Sequence, residues 1–218
     1  MAEKTARPAL IFDYDGTIHD TMRIYRPAVR RAFQWLREQG HTVPETSDRQ
    51  IASWLGMNTR DMWNSFLPGL PEKVKQKAAV LVGDAMKAAL RKGCGAWYPG
   101  IRETLDALKR KGYRMAVLSN CQASYGAAHW QAFHMEQWFE YFFDCESFQS
   151  APKSEIIRKL GDLYPPPYIV IGDRYSDLEA AKGSGSPFIG CLYGFGSKAE
   201  LCQADFLAAG PEEIQKYL

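Results

Sequence analysis

Two short apolar runs, residues 9–13 and 115–119, read as consecutive strands, yet about a hundred residues lie between them. A simple crossover between parallel strands needs only about 10–12 residues, so the surplus should fold as a unit of its own. Three further runs, 142–145, 168–172 and 188–192, share the same character. All five are apolar, partly β-branched or aromatic, and too short for ordinary helices. Helical patterns fill most of the gaps. Ile101, Leu105 and Leu108 make a one-sided stripe that stops at Lys111-Gly112. Ser176 and Glu179 have the spacing of a capping box, which predicts a helix opening there and passing through Ala181. Alternation of this kind predicts an α/β fold, a Rossmann-like doubly wound parallel sheet with helices on both faces.

The long gap reads as helices. Ile24, Ala28, Ala32, Trp35 and Leu36 form one stripe, with Gly40 beyond it. Further helices are predicted from Ser47 to near Gly56, over 59–67, and from Pro71 to Gly93. Residues 21–96 are therefore expected to be a helical insertion, and 1–20 with 97–218 an α/β core.

Composition narrows the partners. A net charge of +2 gives no sign of a nucleic-acid binder. The longest apolar runs fall well short of the ~20 residues that cross a bilayer, and the N-terminal segment is polar where a leader needs an apolar stretch. Five scattered cysteines without a C-x-x-C pair fit reduced thiols better than a disulfide frame or zinc site. The expectation is a cytoplasmic protein with no nucleic-acid or membrane partner. Nothing in the sequence chooses between a monomer and a homodimer.

Ligands of open parallel sheets bind beyond the carboxyl ends of the strands. The first strand ends in Asp13-Tyr14-Asp15-Gly16-Thr17, the second in Ser119-Asn120, and the fourth in Gly172-Asp173 with Asp177 shortly after; Lys153 follows the third. Asp13, Asp15, Asp173 and Asp177 would crowd one edge. Two bare carboxylates 4 Å apart repel by about 4 kcal/mol at an effective dielectric near 20, so such a cluster needs a cation or protons. Few, all-oxygen ligands suit Mg²⁺, which also takes a substrate phosphate oxygen. Lys153 would add a compact positive charge, Gly16 would let the backbone approach a phosphate, and Ser119 and Asn120 would donate hydrogen bonds. These parts match what phosphoryl transfer requires.

In order along the chain, Asp13-x-Asp15-Gly16-Thr17, Ser119-Asn120, Lys153 and Gly172-Asp173-x-x-x-Asp177 resemble the four motifs of the haloacid dehalogenase superfamily. The insertion after the first motif resembles the helical cap of its subfamily I, which contains phosphoglycolate phosphatase and β-phosphoglucomutase. The resemblance implies that Asp13 is the nucleophile and Asp15 the general acid, then base. It implies Mg²⁺ held by Asp13, the Asp15 carbonyl and Asp173, with Asp177 in support. It assigns the transferring phosphoryl group to Ser119 and Lys153, and Gly16, Thr17 and Asn120 are expected to join them in binding phosphate. Dehalogenases proper and phosphonatases lack an aspartate at the place of Asp15, which favours phosphatase or phosphomutase chemistry on a small phosphorylated substrate.

Plainer readings stand beside these. Asp13 to Gly16 could form a simple turn, Asp177 could serve a helix N-terminus, Lys153 could be a solvated helix-start residue, and Ser119 an N-cap. Gly183-Ser184-Gly185-Ser186 follows a helix and reads as its stop rather than a nucleotide loop. The loop 193–196 either borders the site or merely connects. Cys121, with no adjacent histidine, reads as a buried thiol and not a nucleophile, and His19 as a hinge-side surface residue, with contact to substrate at the entrance of the insertion as the alternative. Arg23, Asn58 and Arg60 are candidate substrate contacts. The leading function is hydrolysis of a small phosphomonoester with Mg²⁺. The alternatives are a sugar phosphomutase and, more remotely, a phospho-accepting or non-catalytic domain.

Overall fold

The computed structural model describes residues 7–57 and 59–218, so Asn58 and residues 1–6 lie outside the described residues. The chain divides into two compact units, one running through His19 and resuming over Trp97–Leu218, the other spanning Asp20–Ala96.

The first unit is built on β1 (Ala9–Phe12), whose four residues are all buried. After the second unit the chain returns as α5 (Ile101–Arg110), β2 (Met115–Ser119), α6 (Ala123–Phe133), β3 (Tyr141–Asp144), α7 (Lys153–Lys159), β4 (Tyr168–Gly172), α8 (Tyr175–Ser184), β5 (Phe188–Cys191) and β6 (Phe206–Ala208). A 3₁₀ segment, Pro211–Tyr217, closes the chain. The strands form one parallel sheet in the order β3-β2-β1-β4-β5-β6. With β1 between β2 and β4, the order reverses at β1, and in such sheets ligands bind beyond the carboxyl ends of the strands at that point.

Alternation along β1 sorts the core into two layers. Leu10 and Phe12 pack with Ile101, Leu105 and Leu108 of α5, and with Met135, Trp138 and Ile214. Ala9 and Ile11 pack on the other face with Ile156 and Ile157 of α7 and with Leu178, Ala180 and Ala181 of α8. The sheet is doubly wound, as the strand–helix alternation predicts. Burying each such large aliphatic side chain is worth about 1.5–3 kcal/mol, so β1 is fixed from both sides.

Two expectations are corrected. The helix after β4 opens at Tyr175, placing Ser176 inside it, so the predicted Ser176–Glu179 capping box is not formed. It is Asp177, in the first turn, that accepts the Arg174 N–H at 3.0 Å. The third strand also begins one residue earlier than read. Gly185, in the left-handed region at φ 65°, ends α8 as a helix stop.

The second unit contains α1 (Met22–Glu38), α2 (Asp48–Ala52), α3 (Thr59–Phe66) and α4 (Glu72–Arg91). Ile24, Ala28, Ala32 and Leu36 form the buried stripe of α1, joined by Tyr25, Val29 and Phe33, while Trp35 is only half-buried. Ser47 caps α2, its hydroxyl accepting the Gln50 N–H at 3.2 Å. Arg23 is paired with Asp20 at 3.0 Å and exposed, and Arg60 is exposed. Among the described residues no helix is long and apolar enough to cross a membrane.

Candidate active site

Asp13 is the first residue beyond β1, where its N–H still continues the ladder to the Ile171 carbonyl at 2.7 Å. Asp173 immediately follows β4, and Asp177 lies in the first turn of α8. Because β4 pairs with β1, these three carboxylates converge: each offers an oxygen within 4.8 Å of the others, and all three are buried. Lys153, at the start of α7, reaches in from the far side of the sequence. Its Nζ donates to Asp13 Oδ1 at 2.5 Å and to Asp177 Oδ1 at 2.6 Å. At 5% exposure Lys153 is not a solvated helix-start residue. Asp177 serves the helix start with one oxygen, as its plainer reading expects, and places the other on the Lys153 ammonium.

Burial, and after it the Asp177 carboxylate, pushes Asp13 well above the usual carboxylate range, against the pull of Lys153. Burial and the same neighbour push Asp173 up to about 7. Burial works to discharge Lys153, but Asp13 and Asp177 outweigh it and hold the ammonium above the ordinary lysine value. Fully ionised, three carboxylates against one ammonium would carry a formal charge of −2, and burial resists this by holding protons on Asp13 and Asp173. Two carboxylate oxygens 4.8 Å apart still repel by about 3.5 kcal/mol at an effective dielectric near 20. The donor set is all oxygen and buried, and its charge when ionised fits a hard divalent cation such as Mg²⁺.

The remaining residues of the first motif fold around Asp173. Gly16 has φ 96°, and a Cβ there would stand 2.4 Å from Asp173 Oδ2, so only glycine fits. The Thr17 hydroxyl, expected to meet phosphate, donates to Asp173 Oδ1 at 3.1 Å and is fully buried. Its contribution in this structure is to orient a carboxylate. Ser119 closes β2, buried, its Oγ accepting the Cys121 N–H at 3.3 Å, while Asn120 follows it and is exposed. Ser119 is no helix N-cap, since α6 is capped at Gln122.

Asp15 stands apart from the buried trio, its side chain 21% exposed. Tyr125 of α6 donates to its Oδ1 at 2.7 Å, and His19 Nδ1 lies 3.3 Å from the same oxygen. His19 is fully buried, which corrects its reading as a surface residue: its backbone bridges Asp15 on one side and Trp97 on the other. Burial pushes the Cys121 thiol up, and it stays protonated.

Tyr125 and the 193–196 loop are contributions the sequence reading missed or left open. The loop does border the site. The Phe195 N–H donates to Asp173 Oδ2 at 2.7 Å, and the Tyr193 hydroxyl to the Thr17 carbonyl at 2.9 Å. A Cβ at Gly194 would meet Asp173 Cβ at 2.4 Å, so the glycine allows this close approach.

The family model described as haloacid dehalogenase-like hydrolase matches residues 10–191. A phosphoglycolate phosphatase of Pasteurella multocida (strain Pm70) is 26% identical over 200 residues, covering 84% of this chain and 85% of the relative. In fold, the chain is similar to a predicted phosphoglycolate phosphatase from Haemophilus somnus 129pt, with a TM-score of 0.81, 22% identity, and 98% and 99% of the two chains covered. It is also similar to a protein from Thermotoga maritima predicted to be a β-phosphoglucomutase, with a TM-score of 0.73, 22% identity, and 97% and 98% covered.

Proposed function

The chain belongs to the haloacid dehalogenase-like hydrolase family and is a phosphatase of that family, and we propose that it cleaves a small phosphomonoester with Mg²⁺ through an aspartyl-phosphate on Asp13. One observation carries this reading: Asp13, Asp173 and Asp177 meet at one strand edge with a single buried lysine. Such a site is incomplete without a divalent cation, and it presents a carboxylate where a phosphoryl group would arrive.

Asp13 Oδ1 is held by Lys153, so the Asp13 carboxylate is oriented for attack on phosphorus, forming the Oδ–P bond as the ester P–O bond breaks. Lys153 would then neutralise the phosphoryl oxygens, with Ser119 and Asn120 at the neighbouring strand end. Asp15, the most exposed of the four acids, gives its proton to the departing alkoxide and takes one from the water that hydrolyses the acyl phosphate. Asp13, the Asp15 carbonyl, Asp173 and Asp177 would hold Mg²⁺, whose charge stabilises the transferring phosphoryl oxygens when bound. The five free cysteines support a reducing, cytoplasmic setting.

A panel of phosphometabolites assayed for Mg²⁺-dependent phosphate release tests the reading, with phosphoglycolate among the substrates expected to turn over. Free phosphate, rather than an isomeric sugar phosphate, is the expected product. Acid-quenched enzyme should carry phosphate on Asp13, and Asp13→Asn should abolish both label and turnover. Unchanged turnover in that variant would overturn the nucleophile assignment.

A further inference from the structure

We propose that Tyr125 is a positioning residue for the acid/base carboxylate, its hydroxyl clamping Asp15 through Oδ1 with the His19 ring beside it. The inference rests on the phosphatase reading above and adds a residue that none of the four motifs contains.

Asp15 has a task the other acids do not. It must deliver a proton to a leaving oxygen and later recover one from water, so it needs access to solvent and a fixed direction at once. The buried trio is oriented by Lys153, Thr17 and backbone N–H groups. For Asp15 the corresponding holder comes from 110 residues away, on α6. A phenol bonded to a carboxylate can only donate, so the 2.7 Å contact defines which carboxyl oxygen is engaged. His19 Nδ1 lies 3.3 Å from that oxygen and 3.4 Å from the Tyr125 hydroxyl, closing a triangle.

The triangle is backed by packed rings. Tyr14, the residue between the two catalytic aspartates, stacks on His19 with centroids 5.3 Å apart and planes 10° from parallel. Its hydroxyl is 2.7 Å from His129 Nδ1, and His129 in turn lies against Tyr125 at 4.1 Å. Gly126 lets α6 settle on β3, since a Cβ there would stand 2.8 Å from the Phe142 ring. The height of Tyr125 over the sheet is thereby set by packing. A displacement of about 1 Å at a proton-transferring group costs on the order of 10²-fold in rate, so a clamp of this kind bears directly on chemistry.

A merely structural hydroxyl and a positioning one differ in leaving-group dependence. Alkyl alkoxides need a proton as they depart, whereas p-nitrophenolate does not. The parent, Y125F, D15N and Y125F/D15N are compared under single-turnover conditions with Mg²⁺ on p-nitrophenyl phosphate and on glycerol 2-phosphate. The expected result is a loss of about 10–10²-fold for Y125F in glycerol release, with less than about twofold change on p-nitrophenol release and in KM. In the D15N background, Y125F should cost nothing more. Equal losses on both esters, no loss on either, or a full additional loss in the double variant overturns the role of Tyr125 alone. A parent that releases neither leaving group overturns the phosphatase reading and this role together. Melting curves are read first; His19→Asn, which removes the second ring from Oδ1, should give the same leaving-group pattern and serves if Y125F does not fold.

Discussion

Lys153 sits between two buried carboxylates, and its removal would leave Asp13 and Asp177 facing each other in a dry site. Breaking a buried ion pair from one side costs about 3–5 kcal/mol, so Lys153→Met should lower the unfolding free energy read from urea titration by that amount at pH 8. The penalty should shrink toward pH 5 as Asp13, already above the usual carboxylate range, takes up a proton; a penalty independent of pH would contradict the triad. Asp173 gives a second test. Its carboxyl titrates near 7 when folded and near 3.8 when unfolded, so the folded state binds the extra proton between those values. For a raised carboxylate the linkage makes metal-free stability fall as pH rises through this window. Mg²⁺ bound as proposed would replace the proton, so its effect on the melting temperature should be large at pH 8 and small at pH 5. At a hundredfold excess over its dissociation constant the gain is about 2.7 kcal/mol. An equal rise at both pH values would exclude Asp173 as a ligand. Asp15, expected to crowd the same edge, stands apart from the buried trio, whereas the meeting of Asp13, Asp173, Asp177 and Lys153 was legible in the sequence because each ends or follows an apolar run. Tyr125 and the Phe195 N–H were not, because one is a lone tyrosine far along the chain and the other is backbone.

At the level of elements, the loop after β5 illustrates how packing serves the site. A Cβ at Gly196 would fall 1.7 Å from the Asp173 carbonyl oxygen, whereas at Gly185 nothing lies within 4 Å. Gly196→Ala should displace the loop and pull the Phe195 N–H from Asp173, costing about 1–3 kcal/mol and most of the Mg²⁺-induced melting shift. Gly185→Ala should cost about 1–2 kcal/mol for its left-handed φ and leave the Mg²⁺ response intact. Equal Mg²⁺ responses would mean that the loop does not support Asp173. The five strands first read from apolar runs all exist, since strands buried on both faces carry continuous apolar sequence. The sixth escaped because only three residues form it and Phe206 is exposed at the sheet edge. Helix α6 escaped for a different reason. Its buried positions are Gly126 and His129, so it has no aliphatic stripe, and its inner side serves the ring cluster behind Asp15 instead.

For the whole molecule, the distribution of parts between the two units makes a strong expectation. All six strands, both packed layers, and Asp13, Asp15, Lys153, Asp173 and Asp177 belong to the first unit. The chain leaves that unit after His19 and returns at Trp97, and these two residues form an antiparallel bridge, with the Tyr98 N–H on the Ile18 carbonyl at 2.9 Å. The exit and the return therefore already have the geometry of a hairpin stem. A two-residue Asn-Gly turn suits such a stem. Joining His19 to Trp97 through Asn-Gly, with 20–96 removed, should give a shortened protein that melts cooperatively. Mg²⁺ at pH 8 should stabilise it by the same free energy as the intact chain, which raises the melting temperature of the shorter chain by about half as many degrees again because its unfolding entropy is smaller. A shortened protein with native-like far-ultraviolet dichroism but no cooperative melt would show that the sheet needs the helical insertion to pack. One that melts cooperatively yet ignores Mg²⁺ would show that the acid cluster, though contained in the first unit, is not held in its binding arrangement by that unit alone.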